Sequence, residues 1–440
     1  ALNLAVKKQN QGNLKEAEII YRNVLSKFPN NPDATHLLGL IAYQVKKYKV
    51  SAELIEKSIQ LKPNTALYHS NLAMTYDKLK NEKKSTENYK KALEINPNHE
   101  KAYLAHYNLG ISSTEDGNPE QALENYNKSI ELNPNFAEAH WNKSTTLLLL
   151  GKYKEAWKEY EYRFKKISPT DSSKFNKPKW NGSSIQNKKL LILSEQGMGD
   201  FIQFTRYLPL VKNKCPNIII ECKPELHRLY QNNPHINQLI EKPKSPNIEF
   251  DYYIHLMSLP GIFKTDLNNI PNPTKFYSSF SSLKIPELKT NKLKVGIVWA
   301  GNPKQENDSN RSTTFENFKS LSQIQNIKLF SLQKGTASKQ LKDPNIINLS
   351  PQIKDFADTA SIINKLDLVI SVDTAVAHLS ASLNKPTWTI LTKMPDWRWL
   401  LKTQKSPWYP SMKLFRQKTK GDWNSVFKEV THELNNLIQK

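Results

Sequence analysis

The chain has 440 residues, enough for about three ordinary domains, and 63 Lys and Arg against 41 Asp and Glu give it a formal net charge of +22. No run of eighteen apolar residues occurs, so no membrane-spanning helix is expected, and residues 1–10 lack the apolar stretch of a signal peptide. The two cysteines, Cys215 and Cys222, make neither a zinc site nor a disulfide framework, and a reducing cytoplasm is the compartment they suggest. Residues 1–170 carry 25 basic and 19 acidic side chains, against 38 and 22 in the remainder, so the excess lies toward the C-terminus. That excess suits an anionic nucleotide-sugar or a lipid phosphate, or simply reflects a Lys-rich composition. Basic helices, finger spacing and aromatic-rich basic stretches are all missing, so nucleic acid is not an expected partner.

The first third repeats itself. Pro29, Pro63 and Pro97 lie 34 residues apart and Pro134 follows after 37, which implies a three-residue insertion. Twelve positions before each Pro stands a small side chain: Ala17, Ser51, Ser85 and Ala122, continued by Ala156. Twelve before those stand Ala5, Gly39, Ala73, Gly110 and Ser144, and a bulky column runs through Tyr21, Ile55, Tyr89, Tyr126 and Tyr160. Small residues let paired helices touch, bulky ones fill the space between pairs, and Pro ends each second helix. The pattern resembles the tetratricopeptide repeat over residues 1–166 and predicts an α-solenoid. Its groove suits a protein or peptide partner. Asn71, Asn108 and Asn142, on successive first helices, either bond such a partner's backbone or face water.

Residues 167–188, rich in Ser, Pro, Asn and Lys, read as a linker, with Trp180 anchoring a turn. From residue 189 the pattern becomes strands alternating with amphipathic helices. Leu190-Leu191-Ile192-Leu193, Ile218-Ile219-Ile220 and 250–254 form one set, with a helix over 201–212. Residues 272–290 read as a connection between lobes. A second set follows at 295–299, 328–332, 366–372 and 388–391. Unbroken apolar strands separated by helices predict parallel sheets, hence two Rossmann-like lobes, 189–290 and 291–440, with ligands beyond the strands' carboxyl ends.

Four motifs fall at such ends. In Glu195-Gln196-Gly197-Met198-Gly199-Asp200 the glycines Gly197 and Gly199 allow a sharp strand-to-helix turn. Asp200 is then either a general base for an acceptor hydroxyl or an ordinary helix cap. In Asp373-Thr374-Ala375-Val376-Ala377-His378 a buried strand runs straight into a helix, whose free N–H groups seat a diphosphate or are merely capped. Gly301 and Asn302 turn the chain after another strand. Arg311 and Lys334 are the cations that either grip phosphate oxygens or stay solvated. Trp397-Arg398-Trp399 and Pro407-Trp408-Tyr409-Pro410 concentrate aromatics that stack on a ligand or pack the lobes.

Together these motifs resemble the bacterial heptosyltransferases of glycosyltransferase family 9, in the branch fused to tetratricopeptide repeats, over roughly residues 180–440. The resemblance implies a GT-B fold and inverting, metal-independent transfer from a nucleotide-sugar, with no cofactor. It also implies a catalytic role for Asp200, and donor binding by Asp373, Thr374, Ala375, Val376 and His378. The overall plan is similar to protein O-glycosyltransferases that select acceptors with repeat superhelices, which implies a protein acceptor. A glycan or lipopolysaccharide transferase and a non-catalytic repeat adaptor are the alternatives. Two positions depart from the family: its Asp-Thr-Gly reads Asp373-Thr374-Ala375, and Arg311 stands in for its donor-loop Lys.

Overall fold

The computed structural model describes residues 1–166, 176–242, 248–276, 285–305 and 307–439, which form two compact units, Ala1–Thr146 and Leu147–Lys440. The expected linker and inter-lobe connection fall partly at 167–175 and 277–284, outside the described residues. No helix among the described residues is long and apolar enough to cross a membrane.

The first unit contains α1 (Leu2–Asn10), α2 (Leu14–Lys27), α3 (Pro32–Gln44), α4 (Tyr48–Leu61), α5 (Ala66–Lys78), α6 (Glu82–Ile95), α7 (Ala102–Glu115), α8 (Pro119–Leu132) and most of α9 (Ala137–Leu149). Local sequence sets the ends. Asn31 accepts the Ala34 N–H at 2.8 Å, while Pro32 takes the first helical position, where no N–H is needed. The insertion lengthens the turn between α6 and α7. The small columns are contact points: a Cβ added to Gly39 would lie 2.8 Å from Ile55 Cγ1, and one on Gly110 2.5 Å from the Tyr126 ring. Tyr21, Ile55, Tyr89 and Tyr126 are fully buried. Asn71 is also buried. Its amide lies 2.9 Å from the His36 ring and its oxygen accepts from Lys101, while Asn108 donates to Tyr89 Oη at 2.8 Å. Both amides are thus engaged within the array.

The boundary between units falls inside α9, whereas the helical pattern runs on to residue 166. The reason is the last repeat helix, α10 (Tyr153–Tyr160), which packs as core of the second unit. Tyr153, Trp157 and Tyr160 are buried against Trp397, and Tyr153 also stacks on Trp408. Trp157 Nε1 donates to the Thr265 carbonyl at 2.7 Å, and Trp408 Nε1 to Tyr153 Oη at 3.1 Å. After the short α11 (Arg163–Lys166), the described end of the expected linker is packed too: Trp180 is buried and its N–H bonds the Tyr253 carbonyl at 2.8 Å.

Two parallel sheets follow. The first, ordered β3-β2-β1-β4, contains β1 (Lys189–Leu193), β2 (Asn217–Cys222), β3 (Gln238–Glu241) and β4 (Tyr252–His255). The second, ordered β10-β9-β8-β5-β6-β7, contains β5 (Leu293–Val298), β6 (Ile327–Ser331), β7 (Ile347–Asn348), β8 (Leu368–Val372), β9 (Thr387–Leu391) and β10 (Met412–Arg416). Val295, Ile297, Leu329, Ile370 and Ile390 form its core with Val426 and Val430 of the C-terminal helix. Each fully buried aliphatic of this kind contributes roughly 1.5–3 kcal/mol. The single helix expected over 201–212 is broken into α12 (Met198–Phe204), a 3₁₀ turn, and α13 (Leu208–Lys212), which starts at Leu208-Pro209 where Pro is tolerated.

Candidate active site

The carboxyl ends of both sheets line one cavity of about 580 Å³. From the first lobe it takes Gly197, Gly199 and Asp200; from the second, Gly301, Asn302, Arg311 and Lys334, and then Asp373, Thr374, Ala375, Val376 and His378. The candidates for catalysis and donor binding are therefore brought to one place, whereas Trp397 and Trp408 pack on Tyr153 away from it.

Asp200 sits in the first turn of α12, where its Oδ2 accepts the Gly197 N–H at 2.8 Å. It is thus a helix-end cap as well as a cavity residue. Its Oδ1 pairs with Arg398, which the sequence offers only as part of an aromatic segment that stacks on a ligand or packs the lobes. Arg398 is buried on the Trp397 ring and also donates to Asp396 at 2.7 Å and to Gln203 at 2.6 Å. Burial raises the Asp200 carboxyl above its usual range, against the opposing pull of Arg398 and the Gly197 N–H. The turn is shaped differently from expectation. Gly197 has φ −90°, and the left-handed residue is Gln196, at φ 58°. That conformation costs a non-glycine residue about 1–2 kcal/mol. Gly199 is needed for a different reason: a Cβ there would lie 2.9 Å from the His378 ring and 3.4 Å from Ala375 Cα. Here α12 meets the helix that follows β8.

That helix, Ala375–Ser382, begins directly at the end of β8, with Thr374 as its N-cap in extended conformation (φ −141°, ψ 167°). The Ala377 N–H turns back to the Thr374 carbonyl at 3.0 Å, which leaves the amides of Ala375 and Val376 without a partner among the described residues. The Thr374 hydroxyl lies 2.9 Å from Ser371 Oγ. His378 is buried, stacked on Trp399, with Nδ1 2.9 Å from Tyr409 Oη. Burial, then the guanidinium groups of Arg398, Arg206 and Arg311, hold its ring neutral. Its 3.8 Å approach to Asp373 is therefore no ion pair. Burial and the nearby Asp396 push the Asp373 carboxyl up to about 6.

Arg311 is held by Asp308 at 3.1 Å and lies over Gly301, where a Cβ would come within 2.5 Å of its Nη2. Gly301 donates its N–H to Ser312 Oγ at 2.9 Å. Lys334 differs from a free phosphate cation: its ammonium donates to the carbonyls of Ser350 at 3.0 Å and Ile353 at 2.8 Å, leaving one proton for a ligand. Gln333 was not foreseen. Its side chain accepts from the Trp299 and Ala300 amides at 2.9 Å and so ties the ends of β5 and β6 together. Among the described residues no group of three or more His, Cys, Asp or Glu is arranged to hold a metal ion. The cavity thus holds the Arg311 and Lys334 cations and the 374–378 helix start of the second lobe together with the Asp200 carboxylate of the first.

The glycosyltransferase family 9 (heptosyltransferase) model matches residues 318–425, a stretch that contains the 373–378 helix tip but not Asp200. Tetratricopeptide repeat models match 2–66, 66–99, 103–136 and 125–158. Protein FlbA of Caulobacter vibrioides (strain ATCC 19089 / CIP 103742 / CB 15) is 25% identical over 330 residues, 66% of this chain and 54% of its own length. The chain thus spans about half the length of the curated relative it matches. Among solved structures, MamA is 22% identical with TM-score 0.33, over 40% of this chain and 93% of its own. PilF of Pseudomonas aeruginosa is 20% identical with TM-score 0.36, over 39% and 77%.

Proposed function

We propose that this chain, a fusion of tetratricopeptide repeats with a glycosyltransferase family 9 domain of the heptosyltransferase kind, moves a sugar from a nucleotide-sugar to an acceptor hydroxyl with inversion and without a metal. Asp200 takes the hydroxyl proton as the acceptor oxygen bonds to the anomeric carbon. The bond from that carbon to the diphosphate breaks, and its electron pair leaves with the nucleoside diphosphate. The Ala375 and Val376 amides, the helix dipole, Arg311 and the remaining Lys334 proton meet the developing charge. Arg398 orients Asp200 and favours its ionised form against the effect of burial. The observation carrying this reading is that Asp200 and the 374–378 helix tip, from different lobes, line the same cavity.

The acceptor in this reading is a protein or peptide gathered by the repeats, whose stacked helix pairs offer an extended binding surface. The test is to incubate the whole chain with a panel of nucleotide-sugars and candidate polypeptides and weigh the products. One glycosyl increment on a polypeptide, with the opposite anomeric configuration by NMR, is the expected result. Transfer only to glycans would remove the protein acceptor. Turnover of no donor, with no nucleotide raising the melting temperature, would remove the activity itself.

A further inference from the structure

The turn carrying Asp200 does not stand alone. Glu195, which opens it, is side-chain buried and faces Arg163 in a two-pronged pair: Nε donates to Oε2 and Nη2 to Oε1, each at 2.9 Å. Arg163 is fully buried and lies just beyond the last repeat helix, α10. Its other protons go to Ser258 Oγ at 2.8 Å, Glu161 at 2.8 Å and the Tyr160 carbonyl at 3.2 Å. Its guanidinium lies 4.7 Å from the Tyr160 ring centre and 4.0 Å from that of Phe164. Glu195 also accepts the Met257 N–H at 3.2 Å. Next in the chain come the left-handed Gln196 and then Gly197, whose N–H holds Asp200.

The same helix supports the other half of the pair. Tyr153, Trp157 and Tyr160 pack around Trp397, whose ring lies under the Arg398 guanidinium. Both Asp200 and its counter-ion therefore rest on the α10–Arg163 segment. A planar fork fixes direction as well as distance, which a lysine cannot do. A strained Gln196 persists only where its surroundings over-determine it, and the Arg163–Glu195 pair supplies that restraint.

We infer that Arg163 is a positioning residue: through Glu195 it holds the 195–200 turn so that the Asp200 carboxylate faces the cavity, making the end of the repeat array a structural part of the catalytic apparatus. The kinetic half of this inference rests on the transferase reading above. Arg163 does not line the cavity and reaches Asp200 only through Glu195 and the turn that follows it.

The test uses two variants of the whole chain. Arg163→Lys keeps the buried charge but loses the fork, and Glu195→Gln keeps the acceptor for Met257 while weakening the pair. In each, backbone amide exchange at residues 197–200 is expected to speed up on the order of tenfold, with β8 and β9 unchanged. Donor hydrolysis is expected to lose about tenfold in kcat with KM within about twofold, because misplacing a catalytic group costs rate while the donor seat on the other lobe is intact. Unchanged amide exchange at 197–200 in both folded variants overturns the inference, as does a rise spread evenly over both sheets. If the wild type hydrolyses no donor, the transferase reading fails by itself and amide exchange alone decides the role of Arg163.

Discussion

Asp200→Asn is expected to lower glycosyl transfer by on the order of 10²- to 10⁴-fold, the range for removing a general base, with nucleoside diphosphate affinity unchanged. The substitution is nearly isosteric. Its one oxygen still accepts the Gly197 N–H, its NH2 then faces the Arg398 guanidinium, and Arg398 retains Asp396 and Gln203 as partners, so the disturbance stays local. What is lost is the proton acceptor. The pH dependence follows from the direction of the Asp200 shift. A base works only when deprotonated, and burial has raised this carboxyl. Activity therefore rises with pH through a midpoint above the ordinary carboxylate range and falls as the group is protonated below it. Steady-state transfer between pH 4.5 and 9 checks this. An Asn variant within a few-fold of wild type would remove Asp200 from the mechanism.

Ala375→Pro is expected to weaken nucleoside diphosphate binding by about 10- to 100-fold, since a hydrogen bond to a charged group contributes roughly 1.5–3 kcal/mol. Ala375 is the first residue of its helix, the position at which Pro is tolerated because its N–H has no partner within the helix. Thr374 already has the extended backbone that a following Pro requires. The variant thus deletes one donor from the proposed diphosphate seat and leaves the helix in place. Calorimetric titration with nucleoside diphosphates, alongside thermal unfolding, separates the two effects. Full affinity in the folded variant would show that this amide does not face the ligand.

Much of this was legible in the sequence, and what was missed has physical reasons. The repeat columns stood out because a Gly or Ala at a helix contact tolerates no larger residue, as Gly39 and Gly110 show. Strands β1, β5, β8 and β9 announced themselves as apolar runs because both faces are covered. The strands not foreseen, β3, β7 and β10, lie at sheet edges, where half-exposed positions dilute the apolar signal. The 195–200 and 373–378 turns could be placed at the cavity because each lies between a strand end and a helix start. The roles of Arg398, Gln333 and Arg163 could not be read, because their partners lie far off in the chain: Arg398 and Asp200 are 198 residues apart. Nothing local in Trp397-Arg398-Trp399 separates an arginine that packs from one that orients a carboxylate. Lys334 is the converse case, legible as a cation but not as one already bonded to two carbonyls.

The most direct measurement is a crystal structure of the chain with a nucleotide-sugar, or with a nucleoside diphosphate and acceptor, in the 580 Å³ cavity. The diphosphate is expected at the Ala375 and Val376 amides beside Arg311, with the sugar's anomeric carbon between it and Asp200. A nucleotide bound outside this cavity, or one whose sugar points away from Asp200, would contradict the account.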